Sequence, residues 1–138
     1  MVFQATCVAV AGKAILIEGE PGTGKSSLAL SLIDRGAALV GDDGVVIEVE
    51  GTTLYAMPHP ETRGLIEVRN LGLVSMPACD RAAVALMISL DPQAPRFIEQ
   101  AEGATLAGVR IPMIRLWPGS DAMAIRAELA LRLYGANH

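Results

Sequence analysis

Residues 19–26 read Gly-Glu-Pro-Gly-Thr-Gly-Lys-Ser, and this glycine-rich loop decides the fold of the chain. An apolar run precedes it at residues 14–17, and residues 27–30 after it have the composition of a helix. A glycine, four residues and then Gly-Lys-Ser, placed between a strand and a helix, is the spacing of a phosphate-binding P-loop. Glycines let the backbone turn its N–H groups towards phosphate oxygens, and the helix N-terminus adds partial positive charge there.

The P-loop spacing assigns roles to individual side chains. Lys25 would reach the β- and γ-phosphates, and the Ser26 hydroxyl would hold Mg²⁺. An ordinary glycine-rich turn that caps a helix is the alternative. Because strand, spacing, Lys-Ser pair and helix all agree, we predict that a nucleoside triphosphate binds here. The predicted nucleotide-binding residues are Gly19, Glu20, Pro21, Gly22, Thr23, Gly24, Lys25, Ser26 and Ser27.

Length and composition limit the remaining possibilities. At 138 residues we expect one domain, residues 1–138, with no separate regulatory module. The chain is 51% apolar with few aromatics, which suits a parallel sheet covered by helices. A net charge of −4 and the lack of a basic run argue against a nucleic-acid partner. No apolar run is long enough for a membrane span, and no signal peptide is expected. Cys7 and Cys79 are predicted to be buried free thiols in a reducing cytoplasm.

Hydrophobic patterns predict an α/β sandwich that contains more strand than helix. The predicted strands cover residues 3–10, 14–18, 37–40, 45–49, 53–57, 82–90 and 111–116. Residues 26–35 should form a helix, and a second helix should begin at residues 118–120 and bury one face made of Ile125, Leu129 and Leu133. The polar stretch 91–108 contains two prolines and is predicted to include a mobile loop.

Asp42 and Asp43 follow the predicted strand 37–40, at the edge of an α/β sheet where ligands bind. One carboxylate beside the phosphates could hold Mg²⁺, and the other could accept the proton of an attacking hydroxyl. The alternative is an Asp-rich turn without function. The neighbouring P-loop favours the functional interpretation.

Glu67 and Arg69 alternate in a short apolar run, so both side chains would point to one face of a strand. A solvated ion pair is one interpretation. A metal ligand together with an arginine that neutralises a transferring phosphate is the other, and spacing alone leaves both open. His59 and His138 are assigned no role.

Three motifs together resemble the catalytic domain of the bacterial HPr kinase/phosphorylase family, in its short alphaproteobacterial form, which lacks an N-terminal domain. Members of this family phosphorylate a serine of HPr, the phosphocarrier of the sugar phosphotransferase system, and can remove that phosphate. The motifs are the glycine-rich loop 19–26, Leu-Val-Gly-Asp-Asp at residues 39–43, and Gly-Leu-Ile-Glu-Val-Arg-Asn-Leu-Gly at residues 64–72. The last is similar to the family signature Glu-Ile/Val-Arg-Gly-Leu-Gly. The resemblance extends from about residue 4 to residue 133.

The resemblance implies a mixed sheet with flanking helices and a P-loop like that of phosphoenolpyruvate carboxykinase. It implies ATP and Mg²⁺ as cofactors, an HPr-type phosphocarrier as partner, and a homo-oligomer, specifically a hexamer. Lys25 would bind phosphate, while Ser26 and Glu67 would bind the metal. Asp43 would be the general base in the kinase direction, supported by Asp42. The remaining implied residues are Arg96 of a flexible loop and the signature residues Arg69, Asn70 and Gly72.

The sequence departs from the family pattern at three places. Gln4 stands where the family usually has a histidine, and glutamine cannot titrate near neutral pH. Asn70 replaces a signature glycine but can adopt left-handed backbone angles. Residues 112–121 lack the arginine of a Pro-x-x-x-Gly-Arg-Asn motif that is linked to dephosphorylation. The first and third changes favour a kinase over a phosphorylase. A nucleotide-binding regulatory module without catalysis and a small-molecule kinase are the alternative hypotheses.

Overall fold

The computed structural model describes residues 1–136, and within them the chain forms eleven strands and two helices. The strands are β1 (Val2–Phe3), β2 (Thr6–Val10), β3 (Lys13–Gly19), β4 (Ala38–Gly41), β5 (Val45–Glu50), β6 (Thr53–Pro58), β7 (Leu65–Val68), β8 (Gly72–Ser75), β9 (Ala82–Leu90), β10 (Glu102–Leu106) and β11 (Val109–Leu116). The helices are α1 (Lys25–Asp34) and α2 (Met123–Tyr134). The predicted α/β class is confirmed.

Nine of these strands form one mixed sheet, in which seven follow the order β1-β5-β6-β9-β3-β2-β4 while β11 pairs with β9 and β10 pairs with β11. Strands β7 and β8 form a separate hairpin. Strand β9 lies parallel to β3 along one edge. Its other edge is divided: β6 pairs antiparallel with its beginning, and β11 pairs parallel with its end. The carboxyl ends of β3, β9 and β11 therefore meet at one edge of the sheet, where β4 also ends, because β2 pairs antiparallel with both β3 and β4.

Side chains of the central strands alternate between two hydrophobic cores. Ile15 and Ile17 of β3 face the core that the helices cover, whereas Ala14 and Leu16 face the core on the other side of the sheet. This alternation is the period of two that any strand imposes. Strand β9 is buried from Val84 to its end, which explains why its sequence is apolar apart from Ser89.

The buried face of α2 differs from the prediction. Ile125, Leu129 and Leu133 are exposed, with Leu133 at 65%. The residues that α2 buries are Met123, Ala124, Ala127, Ala130 and Leu131. Alanines are small and let the helix lie close to the sheet. The positions of the large apolar residues therefore did not indicate the packed face. The predicted start at residues 118–120 was also early, since the helix begins at Met123.

The polar stretch 91–108 is not a loop throughout, because β10 occupies residues 102–106 and pairs with β11. The guanidinium of Arg110 lies over Gly103, in the space that a Cβ atom would take there. Both cysteines are free, but only Cys7 is fully buried; Cys79 is partly exposed. Burial raises the pKa of the Cys7 thiol well above its ordinary value. Neither helix of the described chain has the length and apolar character needed to cross a bilayer.

A pair of leucine truncations checks this description of the core. Leu86 is fully buried in the core beneath the helices, so Leu86→Ala should lower the free energy of unfolding by about 2–5 kcal/mol. The exposed Leu133 on α2 is the control, and Leu133→Ala should change the free energy of unfolding by less than about 0.5 kcal/mol. Urea denaturation of both variants measures the difference. Equal losses would contradict the assignment of the α2 face.

Candidate functional site

The glycine-rich loop 19–26 joins the carboxyl end of β3 to the start of α1, as predicted. Gly19 lies beside Leu90, the last residue of β9, which fixes the loop at the sheet edge. Gly22 and Gly24 have φ angles of 83° and 98°, in the left-handed region that favours glycine. A Cβ atom at either position would have no neighbour within 4 Å, so both residues border open space.

Lys25 folds back across this loop. Its ammonium group donates a hydrogen bond of 2.7 Å to the carbonyl oxygen of Gly19. The side chain therefore links the first residue of α1 to the start of the loop. A lysine has three N–H donors, so two remain that could bind an anion at this loop.

Asp42 connects three separate segments of the chain. Its Oδ1 atom accepts hydrogen bonds from the Ser26 hydroxyl at 2.7 Å and from the Thr6 hydroxyl at 3.3 Å. Its Oδ2 atom accepts from the backbone N–H of Glu67 at 3.1 Å. Thr6 is only 1% exposed, and the sequence analysis did not single it out. A correct prediction that β2 pairs antiparallel with β4 would have placed Thr6 near Asp42, because this pairing brings the start of β2 to the end of β4.

Asp43 has a different environment from that of its neighbour. It is exposed and adopts a φ angle of 62°, and within residues 1–136 its carboxylate has no hydrogen-bond or ion-pair partner. The turn that contains both aspartates is tight, because a Cβ atom at Gly41 would lie 2.5 Å from the Gly44 carbonyl oxygen. The turn thus directs Asp42 to the glycine-rich loop and leaves the Asp43 carboxylate without a partner in the described part of the chain.

A cleft of about 630 Å³ lies between the loop, the start of α1 and the β7–β8 hairpin. Lys25, Ser26, Glu67 and Arg69 line it, so charged groups of both signs face this space. Strand β7 ends at Val68, which places Arg69 in the turn rather than on the strand face shared with Glu67.

The turn between β7 and β8 depends on residues with unusual backbone angles. Asn70 has a φ angle of 72°, the left-handed conformation that the sequence analysis expected it to tolerate, and Gly72 has a φ angle of 102°. The N–H of Leu71 donates to the carbonyl oxygen of Val68 at 3.0 Å. Asn70 and Gly72 both border the cleft, so all four signature residues lie at the site.

The oxygen groups at this site suit Mg²⁺ bound together with phosphates. Within residues 1–136, no three His, Cys, Asp or Glu side chains are grouped so that they could hold a metal ion by themselves. The Ser26 hydroxyl and the carboxylates of Asp42 and Glu67 are hard oxygen donors. Mg²⁺ typically takes one or two carboxylates and fills its other positions with phosphate oxygens and water. The residues present therefore fit this ion.

Some residues named in the sequence analysis lie away from the cleft. Arg96 is exposed in the segment after β9, and Gln4 is exposed between β1 and β2. The segment that contains Arg96 starts at the same sheet edge, and the indole N–H of Trp117 holds it by a hydrogen bond of 2.6 Å to the Ala94 carbonyl oxygen. His59 accepts a hydrogen bond from the Glu61 N–H within a turn, and His138 lies outside the described residues.

Comparisons with known proteins show the family to which the chain belongs. Residues 1–117 match the family model described as HPr Serine kinase C-terminal domain. The chain is 33% identical over 145 residues to an HPr kinase/phosphorylase of Chlorobium chlorochromatii, covering 94% of this chain and 44% of that protein. A relative from Clostridium tetani with the same name is 50% identical over 72 residues, which is 51% of this chain and 23% of that protein.

A solved structure, the Hpr(Ser) kinase/phosphatase from Coxiella burnetii, has the same fold. It superposes with a TM-score of 0.85 at 24% identity and covers 96% of this chain and 94% of that one. The chain spans less than half the length of the curated relatives named above. Because the family model covers most of the sequence, from the first residue through β11, the chain belongs to the HPr serine kinase C-terminal domain family.

Proposed function

We propose that this chain is the catalytic domain of an ATP- and Mg²⁺-dependent protein kinase that phosphorylates a serine of an HPr-type phosphocarrier. The hydrogen-bonded group of Ser26, Asp42 and Glu67 beside Lys25 is the observation that supports it most. This group combines the donors that hold a triphosphate with the carboxylates that Mg²⁺ needs. The names of the relatives supply the acceptor protein.

The chemical step requires little covalent chemistry from the protein. The seryl oxygen of the acceptor forms a bond to the γ-phosphorus, the bond from that phosphorus to the bridging oxygen breaks, and ADP leaves. The Asp43 carboxylate, which has no partner within residues 1–136, accepts the seryl proton. Lys25 neutralises charge on the phosphates, and the loop N–H groups hold them in place. Bound Mg²⁺ would add further charge neutralisation at the β- and γ-phosphate oxygens.

The forward reaction is the direction that the chain favours. The family usually has a histidine at the position of Gln4, and an exposed glutamine can donate and accept hydrogen bonds but cannot exchange a proton near neutral pH. The stretch 112–121 also lacks the arginine linked to dephosphorylation. Both differences support a kinase with weakened phosphorylase activity.

The decisive assay incubates the protein with ATP, Mg²⁺ and the HPr of its own organism. Mass spectrometry should find a single phosphoserine on HPr. Bound ATP without any phosphoserine would contradict the proposal. It would instead favour a nucleotide-binding regulatory module, the second candidate, for which Gln4 is the specific observation.

Replacing Glu67 should alter the metal requirement. Glu67→Gln removes a charged oxygen donor that lines the cleft but keeps the backbone N–H that binds Asp42. The Mg²⁺ concentration for half-maximal activity should rise by about tenfold or more. Titration of activity with Mg²⁺ at saturating ATP measures the shift. Glu48→Gln, at an exposed position on β5, is the control, and an unchanged Mg²⁺ requirement in Glu67→Gln would remove Glu67 from the metal site.

The hexamer implied by the family resemblance is part of the proposal. The exposed face of α2, which includes Ile125 and Leu129, presents apolar surface that supports association between subunits. Sedimentation equilibrium should give a mass of six chains. A mass equal to one chain would contradict this part of the proposal without affecting the proposed chemistry.

A further inference from the structure

Thr6 is a polar side chain in apolar surroundings. It is 1% exposed and stands at the start of β2, where its neighbours Ala5 and Cys7 belong to the hydrophobic core. Burial of a hydroxyl costs free energy unless the group has a hydrogen-bond partner. The Thr6 hydroxyl donates its hydrogen bond to Oδ1 of Asp42, at 3.3 Å. The one buried hydroxyl at the start of β2 is therefore committed to a carboxylate of the candidate site.

A bulge in β4 precedes this contact. Two consecutive residues of β2 pair with Gly41 and Leu39, so Val40 between them is an extra residue in β4. An extra residue of this kind bends its strand and redirects the side chains beside it, and such bulges are frequent next to active sites. Asp42 follows directly after β4. The bend accounts for the reach of the Asp42 carboxylate to Thr6, across the end of β2.

The same carboxylate fixes the proton of Ser26. The Ser26 hydroxyl donates to Oδ1 of Asp42 at 2.7 Å, and the Glu67 N–H donates to Oδ2 at 3.1 Å. A serine hydroxyl has one proton and two lone pairs, so a proton committed to Asp42 leaves the lone pairs for a cation. Ser26 lines the cleft in which that cation would lie. The orientation of the Asp42 carboxylate thus decides whether Ser26 can act as a metal ligand.

We propose that Thr6 is a positioning residue for Mg²⁺ at the phosphate site. Its hydroxyl holds Oδ1 of Asp42 in the orientation that keeps the Ser26 lone pairs available to the metal. Thr6 acts through Asp42 and does not touch the metal, because its side chain is buried outside the lining of the cleft. This inference rests on the proposed function in one respect, since it takes the glycine-rich loop to bind a nucleotide together with Mg²⁺. Replacement of a group that holds a metal ligand in place typically changes metal affinity by about 10–100-fold.

Calorimetric titration with a non-hydrolysable ATP analogue, in Mg²⁺ and in EDTA, tests this role. Mg²⁺ should tighten binding of the analogue to the wild-type protein by about tenfold or more. Thr6→Val keeps the shape of the side chain but removes the hydroxyl. It should abolish most of the gain from Mg²⁺ and leave the affinity in EDTA unchanged. Thr6→Ser retains the hydroxyl and should retain the gain. Thr105→Val, the same substitution at an exposed position on β10, should alter neither affinity.

Two further variants test the route through Ser26. Ser26→Ala removes the hydroxyl that Thr6 helps to orient, so the addition of Thr6→Val to it should change the affinity in Mg²⁺ by less than about twofold. An undiminished effect of Thr6→Val in that background would overturn the inference. Thr6→Ala also lacks the hydroxyl but places no additional methyl group beside the carboxylate, and it should reproduce the result of Thr6→Val.

Four other results would overturn the inference. They are a wild-type affinity that does not depend on Mg²⁺, a full gain from Mg²⁺ in the variants without the hydroxyl, an equal loss in Mg²⁺ and in EDTA, and loss of the gain in Thr6→Ser. The titrations contain no acceptor protein, so they are independent of the kinase assay. A chain that phosphorylates HPr while Thr6→Val keeps the full gain would support the proposed function and contradict the role of Thr6. A chain that loses the gain in Thr6→Val but leaves HPr unmodified would do the reverse.

Discussion

Replacement of Asp43 by Asn is expected to lower the rate of phosphoryl transfer to HPr by about 10²–10⁴-fold. The substitution removes the proton acceptor but keeps the size of the side chain. Asparagine also tolerates the left-handed backbone angle, φ 62°, that residue 43 adopts, so the turn should survive. Because the Asp43 carboxylate makes no hydrogen bond within residues 1–136, its loss should leave the fold and the ATP affinity unchanged.

Single-turnover kinetics at saturating ATP measures this effect, and calorimetric titration measures ATP binding in the same variant. Asp34→Asn, at the exposed end of α1, provides a control for the loss of one surface carboxylate. If the Asp43→Asn variant transferred phosphate at the wild-type rate, Asp43 would not be the base. If it lost ATP binding as well, Asp43 would belong to the nucleotide site instead.

Replacement of Lys25 by Met is expected to weaken ATP binding by about 10–100-fold, since hydrogen bonds to charged groups contribute about 1.5–3 kcal/mol. Methionine has a similar length but no ammonium group. The variant also loses the hydrogen bond to the Gly19 carbonyl oxygen, so the loop should become less ordered. Phosphoryl transfer should fall further than binding, because Lys25 would also neutralise charge that develops during the reaction.

The chain offers a close control for this experiment. Its only other lysine is Lys13, at the opposite end of β3 from the loop. Lys13→Met should leave the ATP affinity and the transfer rate near their wild-type values. Similar losses in the two lysine variants would indicate a general effect of charge and would contradict a specific role for Lys25.

The sequence was sufficient to predict the strand–loop–helix unit and the long strand β9. In both cases local pattern and tertiary environment agree, because the strands are buried on both faces and the loop has a fixed spacing of residues. The prediction of which face of α2 packs against the sheet was wrong for an identifiable reason. Residue size suggested Ile125 and Leu129, but the close approach of helix and sheet selects alanines such as Ala127, which is fully buried.

The sequence predicted which residues belong to the candidate site but not the hydrogen bonds between them. The sequence placed Asp42 and Asp43 together and could not separate their environments. The structure shows that the Asp42 carboxylate accepts three hydrogen bonds, whereas the Asp43 carboxylate has no partner within residues 1–136. That difference depends on the start of β2 and on the Glu67 backbone, which lie far from residue 42 in sequence. No local motif contains this information.

The parallel pairing of β3 with β9 has a consequence for the order in which the protein folds. Lys13 lies opposite Ala83, so the contact closes a loop of about 70 residues. Pairings between distant segments form slowly, because the chain loses the entropy of the closed loop before the contact is gained. The hairpin of β2 and β3 is local and can form early. Strand β9, which pairs with β3 at Gly19, should join it later. The glycine-rich loop, although near the start of the chain, is therefore completed among the last parts of the molecule.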